Sequence, residues 1–362
     1  LILSATPILW GVTRVKISTV STVIWCNVKI WLNKLIGGRL NILPYKVLIN
    51  LTNNCNSRCD YCDIWKVKDF ENEINLDDTI KLFDNMGSSL VWLALSGGEV
   101  TLVKYLDLML IEARKRCKNL KIVTFTTNAL LPKKVIKLVE QVRENGFDLM
   151  VTISLDGDEE LHDKVRGVPG NYKKCIELYD TLKAMGVNVN FGITVADVNE
   201  GYIRKEYEKM KHSIKAVTFV HDGGIYLKNN LVNENSILDS MRYIVKKYSI
   251  DSIAEIIEYI HIKISTHFLD QQKKSNILPC EVINSSIHVM EDGAVRPCMF
   301  MKEMGNIKTD NISDIVFSEL SDKMREQIKN DKCPHCWMNC YSPYSIMQHP
   351  FKSVKYLLSK SA

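Results

Sequence analysis

The chain has 362 residues, of which 46% are hydrophobic and 25% charged, and its formal net charge is +5. This composition is typical of a globular enzyme and predicts one α/β domain of roughly 200–250 residues with a smaller one beside it. No Lys/Arg block is dense enough to indicate nucleic-acid binding, so we expect no nucleic acid among the partners.

The eleven cysteines fall mainly into two clusters. Three lie at 55–62 and five near the C-terminus, whereas Cys26, Cys117 and Cys175 are isolated. An odd total without a convincing secretory signal indicates a reducing, cytoplasmic compartment and metal ligation instead of disulfides. We expect the three isolated cysteines to be small buried hydrophobic residues.

Residues 1–44 are predominantly apolar, but Arg14, Lys16 and Lys29 interrupt the apolar runs. No uncharged window approaches the roughly 20 residues that a membrane span needs. We therefore predict an N-terminal amphipathic segment that packs on the body of the protein or contacts a membrane surface peripherally. A signal peptide is the less favoured alternative, because no small-residue cleavage site follows cleanly.

From residue 45 onward, apolar strands alternate with amphipathic helices. The predicted strands are 45–52, 89–98, 120–128, 148–157, 188–195 and 215–221, and the helices between them are 76–86, 104–117, 132–145, 172–186 and 200–212. This alternation predicts an α/β fold with a parallel sheet, covered on both faces or closed into a barrel. Six repeats are too few for an eight-fold barrel, so we predict a partial (β/α)6 TIM-like barrel.

The pattern changes after this core, which we place at 45–235. Residues 236–277 are predicted to form a helical connection. Residues 278–362 form a small cysteine-rich α+β domain, with a hairpin that turns at Asp292-Gly293 and a helix over 312–330.

Ligands of parallel α/β sheets bind at the C-terminal ends of the strands. The residues that follow the predicted strands are therefore the candidates for chemistry. They are Cys55–Cys62, Gly97-Gly98-Glu99, Asn128, Ser154, Asp156 and His221.

Directly after the first strand, the sequence reads Cys55-x3-Cys59-x2-Cys62. Thiolates are soft ligands that suit zinc or iron–sulfur clusters. Three thiolates on a 4Fe–4S cluster leave one iron open, where a small molecule can bind. Zinc with a distant fourth ligand is the alternative.

This spacing resembles the hallmark of the radical S-adenosylmethionine (SAM) superfamily, in which an aromatic residue such as Tyr61 precedes the last cysteine. The resemblance extends from about residue 45 to 225, and its motifs recur in order. It implies a SAM-binding 4Fe–4S cluster held by Cys55, Cys59 and Cys62, with Tyr61 facing the bound nucleoside.

Four further motifs extend the resemblance. "SGGE" looks like the motif that receives the methionyl amino group of SAM, which implies roles for Gly97, Gly98 and Glu99. "ISLDG" resembles the strand-four motif, in which a Ser and an Asp meet the SAM ribose or carboxylate. "TTN" and "HDKVRG" are also similar to this family. The resemblance implies that Ser154, Asp156, Asn128 and Arg166 are the residues of these last three motifs that contact SAM. For Asn128 and Arg166, a purely structural role in hydrogen bonding is an equal alternative.

The chemistry that the resemblance implies is one-electron. A reduced cluster, supplied with electrons by a ferredoxin or flavodoxin, cleaves SAM to methionine and a 5′-deoxyadenosyl radical. That radical abstracts a hydrogen atom from a small-molecule or peptide substrate.

The second cluster comprises Cys280, Cys298, Cys333, Cys336 and Cys340. It resembles the twitch or SPASM extensions of radical SAM enzymes, which hold auxiliary iron–sulfur clusters. Five cysteines imply one auxiliary 4Fe–4S cluster. We choose the first four of these cysteines as its ligands, with Cys340 either not a ligand or the true fourth ligand. A zinc knuckle is the alternative to an iron–sulfur cluster.

The sequence therefore predicts a radical SAM enzyme that oxidises, crosslinks or otherwise modifies an unidentified peptide or cofactor. An iron–sulfur electron-transfer or binding protein that has lost radical chemistry is the alternative.

Overall fold

A computed structural model of the protein describes residues 16–38, 40–221, 234–251, 253–272 and 277–358. Outside these residues lie 1–15 and 39 of the predicted N-terminal segment, 222–233 of the predicted core, 252 and 273–276 of the predicted helical connection, and 359–362 of the predicted C-terminal domain. The described strands form one sheet in the order β6-β5-β4-β3-β2-β1-β7-β8-β9. Their bounds are β1 Lys46–Asn50, β2 Trp92–Ser96, β3 Ile122–Thr127, β4 Asp148–Ser154, β5 Asn188–Val195, β6 Ile214–Phe219, β7 Ser286–Val289, β8 Ala294–Arg296 and β9 Gly305–Asn306.

The first six strands confirm the predicted partial barrel. Each pairs in parallel with its neighbour in chain order, from β1 with β2 to β5 with β6. All five residues of β1 are buried, as expected for a strand that is covered on both faces. Because the strands are parallel, their C-terminal ends share one edge of the sheet.

The described helices follow the predicted order closely. They are α1 Ile17–Leu35, α2 Leu76–Met86, α3 Leu106–Arg116, α4 Pro132–Glu144, α5 Glu159–Arg166, α6 Asn171–Ala184, α7 Glu200–Met210, α8 Glu234–Lys247, α9 Ile253–Asp270, α10 Ile312–Val316, α11 Glu319–Lys329, α12 Ser342–Gln348 and α13 Pro350–Leu358. Local signals set several ends. Asn75 and Asp78 form a capping box at the start of α2, and Pro132 begins α4.

The predicted helices differ from the structure over 312–330, at α5, and at α12 and α13, which the sequence does not predict. The segment predicted as one helix over 312–330 divides into α10 and α11, because the hydroxyl of Ser318 accepts a hydrogen bond from the backbone N–H of Ser321 and so starts a new helix. Helix α5 is absent from the predicted elements. It has only eight residues, begins at the Asp158 cap and ends at Gly167, whose φ is +62°.

The C-terminal hairpin extends the barrel sheet. Strand β7 pairs in parallel with β1, with Val47 opposite Ile287, and β8 returns antiparallel beside β7. The sequence predicts this hairpin as part of a separate small domain, whereas the structure hydrogen-bonds it to the first barrel strand. The second cysteine cluster is thereby tied to the edge of the sheet next to β1.

Helix α1 packs on the body of the protein, which is one of the two arrangements that the sequence predicts for the N-terminal segment. Its Ile30 is buried in a small cluster with Tyr45, Val91 and Tyr344. None of the helices in the described part of the chain is both long and apolar enough to cross a bilayer.

Candidate functional site

The three cysteines of the first cluster lie on the loop that follows β1. Cys59 is buried, and Cys55 and Cys62 are half-buried. Burial raises the pKa of Cys55, and it raises the pKa of Cys62 to about 12. A bound metal removes this penalty, because a thiolate ligand is stabilised by the positive charge of the metal.

The other eight cysteines, all of them in described residues, lie on other elements. Three soft sulfur donors on one loop therefore fit a cluster with one iron left open. They do not supply the closed four-ligand set that a structural zinc needs.

The two glycines after β2 fix the start of this cysteine loop. Gly97 has φ +112°, and a Cβ atom added there would lie 2.4 Å from the carbonyl oxygen of Thr52. A Cβ atom on Gly98 would lie 2.2 Å from the carbonyl oxygen of Asn54. The backbone N–H of Gly98 donates to the oxygen of Thr52 at 2.7 Å. Glycine is thus required here by the chain's own backbone, which immediately precedes Cys55.

Glu99 is an internal anchor. Its side chain is only 1% exposed. One carboxylate oxygen accepts hydrogen bonds from the hydroxyls of Thr101 at 2.8 Å and Thr127 at 3.0 Å, and the other accepts from the backbone N–H of Asn128 at 2.9 Å. Burial raises the pKa of Glu99, and these donors oppose that rise. The carboxylate joins the ends of β2 and β3, and its role toward the SAM ammonium stays a prediction.

Asn128 connects the end of β3 to the cysteine loop. Its side-chain N–H donates to Oδ1 of Asn56 at 2.8 Å and lies 3.8 Å from the sulfur of Cys55. Its Oδ1 accepts from the backbone N–H of Leu130 at 3.0 Å. The amide therefore holds the first cysteine of the triplet against the barrel.

Beyond β4, whose last residue is the half-buried Ser154, lies a buried ionic network. Asp156 is fully buried, and it accepts a hydrogen bond from Nε of Arg166 at 2.5 Å and another from the hydroxyl of Tyr61. The same guanidinium donates to the sulfur of Cys59 at 3.4 Å. Burial lowers the pKa of Arg166, but the Asp156 carboxylate outweighs it and raises the pKa above its ordinary value. A permanent cation is thus held beside the sulfur of Cys59.

His162 is a supporting residue that the sequence predictions did not assign. Its Nδ1 accepts a hydrogen bond from the backbone N–H of Asp156 at 3.2 Å, and its Nε2 lies 3.2 Å from Oδ1 of Asn171. Burial lowers its pKa, so the ring is neutral at physiological pH. A sequence signal existed, because His162 and Arg166 are four residues apart and so share one face of a helix.

The C-terminal group of cysteines lies around a cavity. Four cysteines contribute to the wall together with mainly apolar side chains: Cys280, Cys298, Cys333, Cys336, Phe300, Met301, Ile328 and Tyr341. Burial raises the pKa of Cys280 to about 12 and that of Cys298 to about 11. Among the described residues, no three His, Cys, Asp or Glu side chains are grouped as ligands of a single metal ion. Four sulfur donors around an apolar cavity are the donor set that a cubane cluster uses.

Cys340 does not line this cavity. It lies beside Lys46, whose ammonium donates to the Cys340 carbonyl oxygen at 3.3 Å and stands over the rings of Trp92 and Tyr344 at 4.5 and 4.8 Å. Burial lowers the pKa of Lys46 to about 8. The structure thus separates the fifth cysteine from the other four.

His221, predicted as a candidate after β6, links the barrel to the second cluster. Its Nδ1 lies 2.8 Å from the carbonyl oxygen of Phe219, whose ring stacks on it at 4.1 Å. Its Nε2 accepts a hydrogen bond from the backbone N–H of Trp337 at 3.3 Å. Trp337 directly follows the cavity residue Cys336. The segment just after the last barrel strand therefore contacts the loop that carries the C-terminal cysteines.

Two family models match the chain. The model of the radical SAM superfamily matches residues 49–210, and that of the SPASM iron–sulfur cluster-binding domain matches residues 280–341. The chain belongs to the radical SAM superfamily and carries a C-terminal SPASM domain. A radical SAM domain binds a 4Fe–4S cluster and SAM, and a SPASM domain binds auxiliary iron–sulfur clusters.

Among curated proteins, the chain is 26% identical over 337 residues to the Fe-coproporphyrin III synthase of Methanosarcina barkeri, covering 81% of each chain. It is 24% identical over 311 residues to the antilisterial bacteriocin subtilosin biosynthesis protein AlbA of Bacillus subtilis, covering 81% of this chain and 65% of AlbA. The family model and these similarities show that the present chain is a radical SAM enzyme.

Solved structures share the fold. Native anSMEcpe with bound AdoMet superposes with a TM-score of 0.59 at 18% identity, covering 87% of this chain and 98% of that one. Streptococcus suis SuiB bound to S-adenosylmethionine superposes with a TM-score of 0.57 at 17% identity, covering 83% and 72%. Both matches support the partial barrel followed by a cysteine-rich C-terminal region.

Proposed function

We propose that Cys55, Cys59 and Cys62 hold the SAM-binding cluster, and that the residues around them receive SAM. The proposed SAM-contacting or SAM-supporting residues are Tyr61, Gly97, Gly98, Glu99, Asn128, Ser154, Asp156 and Arg166. The observation that carries this proposal is the convergence of the strand ends on the cysteine loop. Asn128 lies 3.8 Å from one cluster cysteine, and Arg166 lies 3.4 Å from another.

When bound and reduced, the cluster supplies the electron that cleaves SAM and so generates the radical that takes a hydrogen atom from the substrate. The residues of the chain hold and shield this site. Gly97 and Gly98 let the loop after β2 clamp the backbone before Cys55. Asp156 holds Arg166 in place, so that its charge faces the sulfur of Cys59. A ferredoxin or flavodoxin is the proposed electron donor.

We assign Cys280, Cys298, Cys333 and Cys336 as the ligands of one auxiliary 4Fe–4S cluster, with Cys340 outside the ligand set. The shared cavity of the four cysteines supports this choice, as does the pairing of Cys340 with Lys46. The contact between Trp337 and His221 supports a position next to the end of the barrel for the proposed cluster. A cluster held by these cysteines would supply an electron acceptor for oxidation of the substrate, or an anchoring site for it.

For the substrate class, we favour an iron-bearing tetrapyrrole with carboxylate side chains. The similarity to a protein named Fe-coproporphyrin III synthase spans 81% of both chains and therefore includes the barrel and the SPASM domain. A peptide substrate is the second candidate, supported by the similarity to AlbA and to the sporulation killing factor maturation protein SkfB of Bacillus subtilis.

The first test is SAM cleavage. The protein is reconstituted anaerobically with iron and sulfide and reduced with dithionite, and 5′-deoxyadenosine is measured after SAM is added. We expect product from the wild type, none from Cys62→Ala, and wild-type amounts from Cys117→Ala, since Cys117 is buried elsewhere. Absence of product from the wild type would favour the electron-transfer alternative and overturn the proposed reaction.

The second test addresses the substrate. A synthase is named for its product, so the probe is iron uroporphyrin III, an iron-bearing porphyrin with more carboxylate side chains than Fe-coproporphyrin III. It is added to the same reaction, and consumption of the porphyrin is followed by mass spectrometry. We expect more 5′-deoxyadenosine and a porphyrin product of altered mass. If 5′-deoxyadenosine forms at an unchanged rate and the porphyrin is recovered intact, the radical function stands and the tetrapyrrole assignment is wrong.

A further inference from the structure

Helix α1 is oriented against the usual rule for surface helices. An amphipathic helix normally turns its apolar stripe toward the core. In α1, apolar residues spaced seven positions apart, Ile17, Ile24 and Trp31, and their apolar neighbours face solvent instead. We call this surface the outward face. It consists of Ile17, Ile24, Trp25, Trp31, Leu32 and Leu35, which are between 45% and 64% exposed.

Polar contacts from several elements hold this orientation. On the inner side of the helix, the hydroxyl of Thr19 donates to Asp148 at the start of β4. The side chain of Asn27 donates to the hydroxyl of Tyr45 at 3.0 Å and accepts from Gln348 of α12 at 2.9 Å. Because these hydrogen bonds fix the rotation of α1, the outward face is a defined surface of the folded protein.

The charge of this region complements an anionic surface. Residues 1–45 contain five Lys or Arg residues and no Asp or Glu, whereas the whole chain has a net charge of +5. The remainder of the chain is therefore neutral overall, and in the fold Lys16 and Lys34 pair with Asp148 and Glu281 of the protein body. Lys29 lies beside the outward face, with its ammonium 5.6 Å from the centre of the Trp25 ring. Tryptophan next to lysine on an apolar stripe is characteristic of helices that lie in the membrane interface.

We propose that the outward face of α1 binds the surface of an anionic lipid membrane, with the tryptophans at the headgroup boundary and Lys29 at the lipid phosphates. Exposed apolar patches of this kind mark interaction sites. A protein partner would equally cover apolar area, but two tryptophans with Lys29 beside them, on a helix whose own sequence contains no Asp or Glu, favour lipid. This inference does not depend on the reaction that the enzyme catalyses.

The test is vesicle flotation of the full-length reconstituted protein. The vesicles are phosphatidylcholine alone, or phosphatidylcholine mixed with phosphatidylglycerol. We expect binding to the mixed vesicles, weaker binding at high salt, and a blue shift of tryptophan fluorescence. The double variant Trp25→Glu/Trp31→Glu should bind about tenfold or more weakly. Leu108→Glu, at a 53% exposed position on α3, is the matched control and should bind like the wild type.

Other occupants of the outward face give distinct results. If the wild type does not bind the mixed vesicles, the proposal is wrong. If sedimentation shows a dimer that the double variant dissociates, a second copy covers the face and the lipid proposal is also wrong. Circular dichroism confirms that each variant is folded, and equal binding by the double variant and the wild type would overturn the assignment to α1.

Discussion

Arg166 donates one hydrogen bond to the carboxylate of Asp156 at 2.5 Å and another to the sulfur of Cys59 at 3.4 Å. The arginine is only 9% exposed, so solvent screens its charge weakly. Charge and hydrogen bonds at ligand sulfurs are the main means by which a protein sets the reduction potential of an iron–sulfur cluster. The resemblance to the family suggests contact with SAM for this residue, and the structure adds contact with the sulfur of Cys59, a proposed cluster ligand.

We predict that Arg166→Gln lowers the midpoint potential of the SAM-binding cluster, because a nearby cation favours the more negative, reduced state. The measurement is a redox titration followed by electron paramagnetic resonance, made in a Cys336→Ala background to remove the auxiliary cluster. Arg166→Lys is the matched control that keeps the charge and should lie between wild type and Gln. Identical potentials for all three proteins would show that Arg166 only stabilises the fold.

Gly98→Ala should selectively disrupt the proposed SAM-binding iron–sulfur cluster. The new Cβ atom would lie 2.2 Å from the carbonyl oxygen of Asn54, so the backbone before Cys55 must move. We expect iron content after reconstitution to fall by about half, from about eight to about four irons per chain. Gly201→Ala is the control, since nothing lies within 4 Å of its Cβ position in α7. Unchanged iron in Gly98→Ala would contradict the clamping role.

Cys336 and Cys340 should respond differently to substitution. Cys336 lines the cavity with three other cysteines, whereas Cys340 faces Lys46. We predict that Cys336→Ala loses about four of about eight irons, and that Cys340→Ala retains them all. The measurement is iron and sulfide analysis of reconstituted protein. The reverse result would make Cys340 a ligand, and zinc in the wild type would mean that the C-terminal site is not a cluster site.

Folding stability should fall in mild acid, partly through His261. Burial and the neighbouring His221 lower the pKa of His261 to about 3, compared with about 6.5 in an unfolded chain. The unfolded state therefore binds a proton below pH 6.5 that the native state excludes. This contribution to stability is complete above pH 6.5 and is lost progressively as the pH falls toward 3.

The corresponding variant is His261→Gln, compared with wild type by denaturant unfolding at about pH 7 and about pH 5.5. His261 lies 2.7 Å from the hydroxyl of Ser342 and stacks on Trp337, so the variant should be less stable at both pH values. Its loss of stability on acidification should, however, be smaller than that of wild type by about 1 kcal/mol. Equal losses would mean that His261 does not titrate on unfolding in this range.

Local sequence signals determined the barrel and the chemistry. The spacing of hydrophobic residues and the helix-starting residues such as Asn75 and Pro132 act within a few residues. The strands from β1 to β6 and the helices between them, except the short α5, could therefore be predicted in order. The spacing of Cys55, Cys59 and Cys62 lies within a single loop, so it could be recognised without knowledge of the fold.

Other features required the tertiary structure, because they join residues that are distant in the sequence. The pairing of β7 with β1 spans about 240 positions, and no local pattern selects it. Sequence spacing leaves Cys340 as eligible a ligand as Cys336, and only the packing around Lys46 separates them. The outward rotation of α1 follows from Asp148, Tyr45 and Gln348, none of which lies in the helix. An amphipathic pattern identifies the apolar side of a helix, but only its distant hydrogen-bond partners decide which side faces solvent.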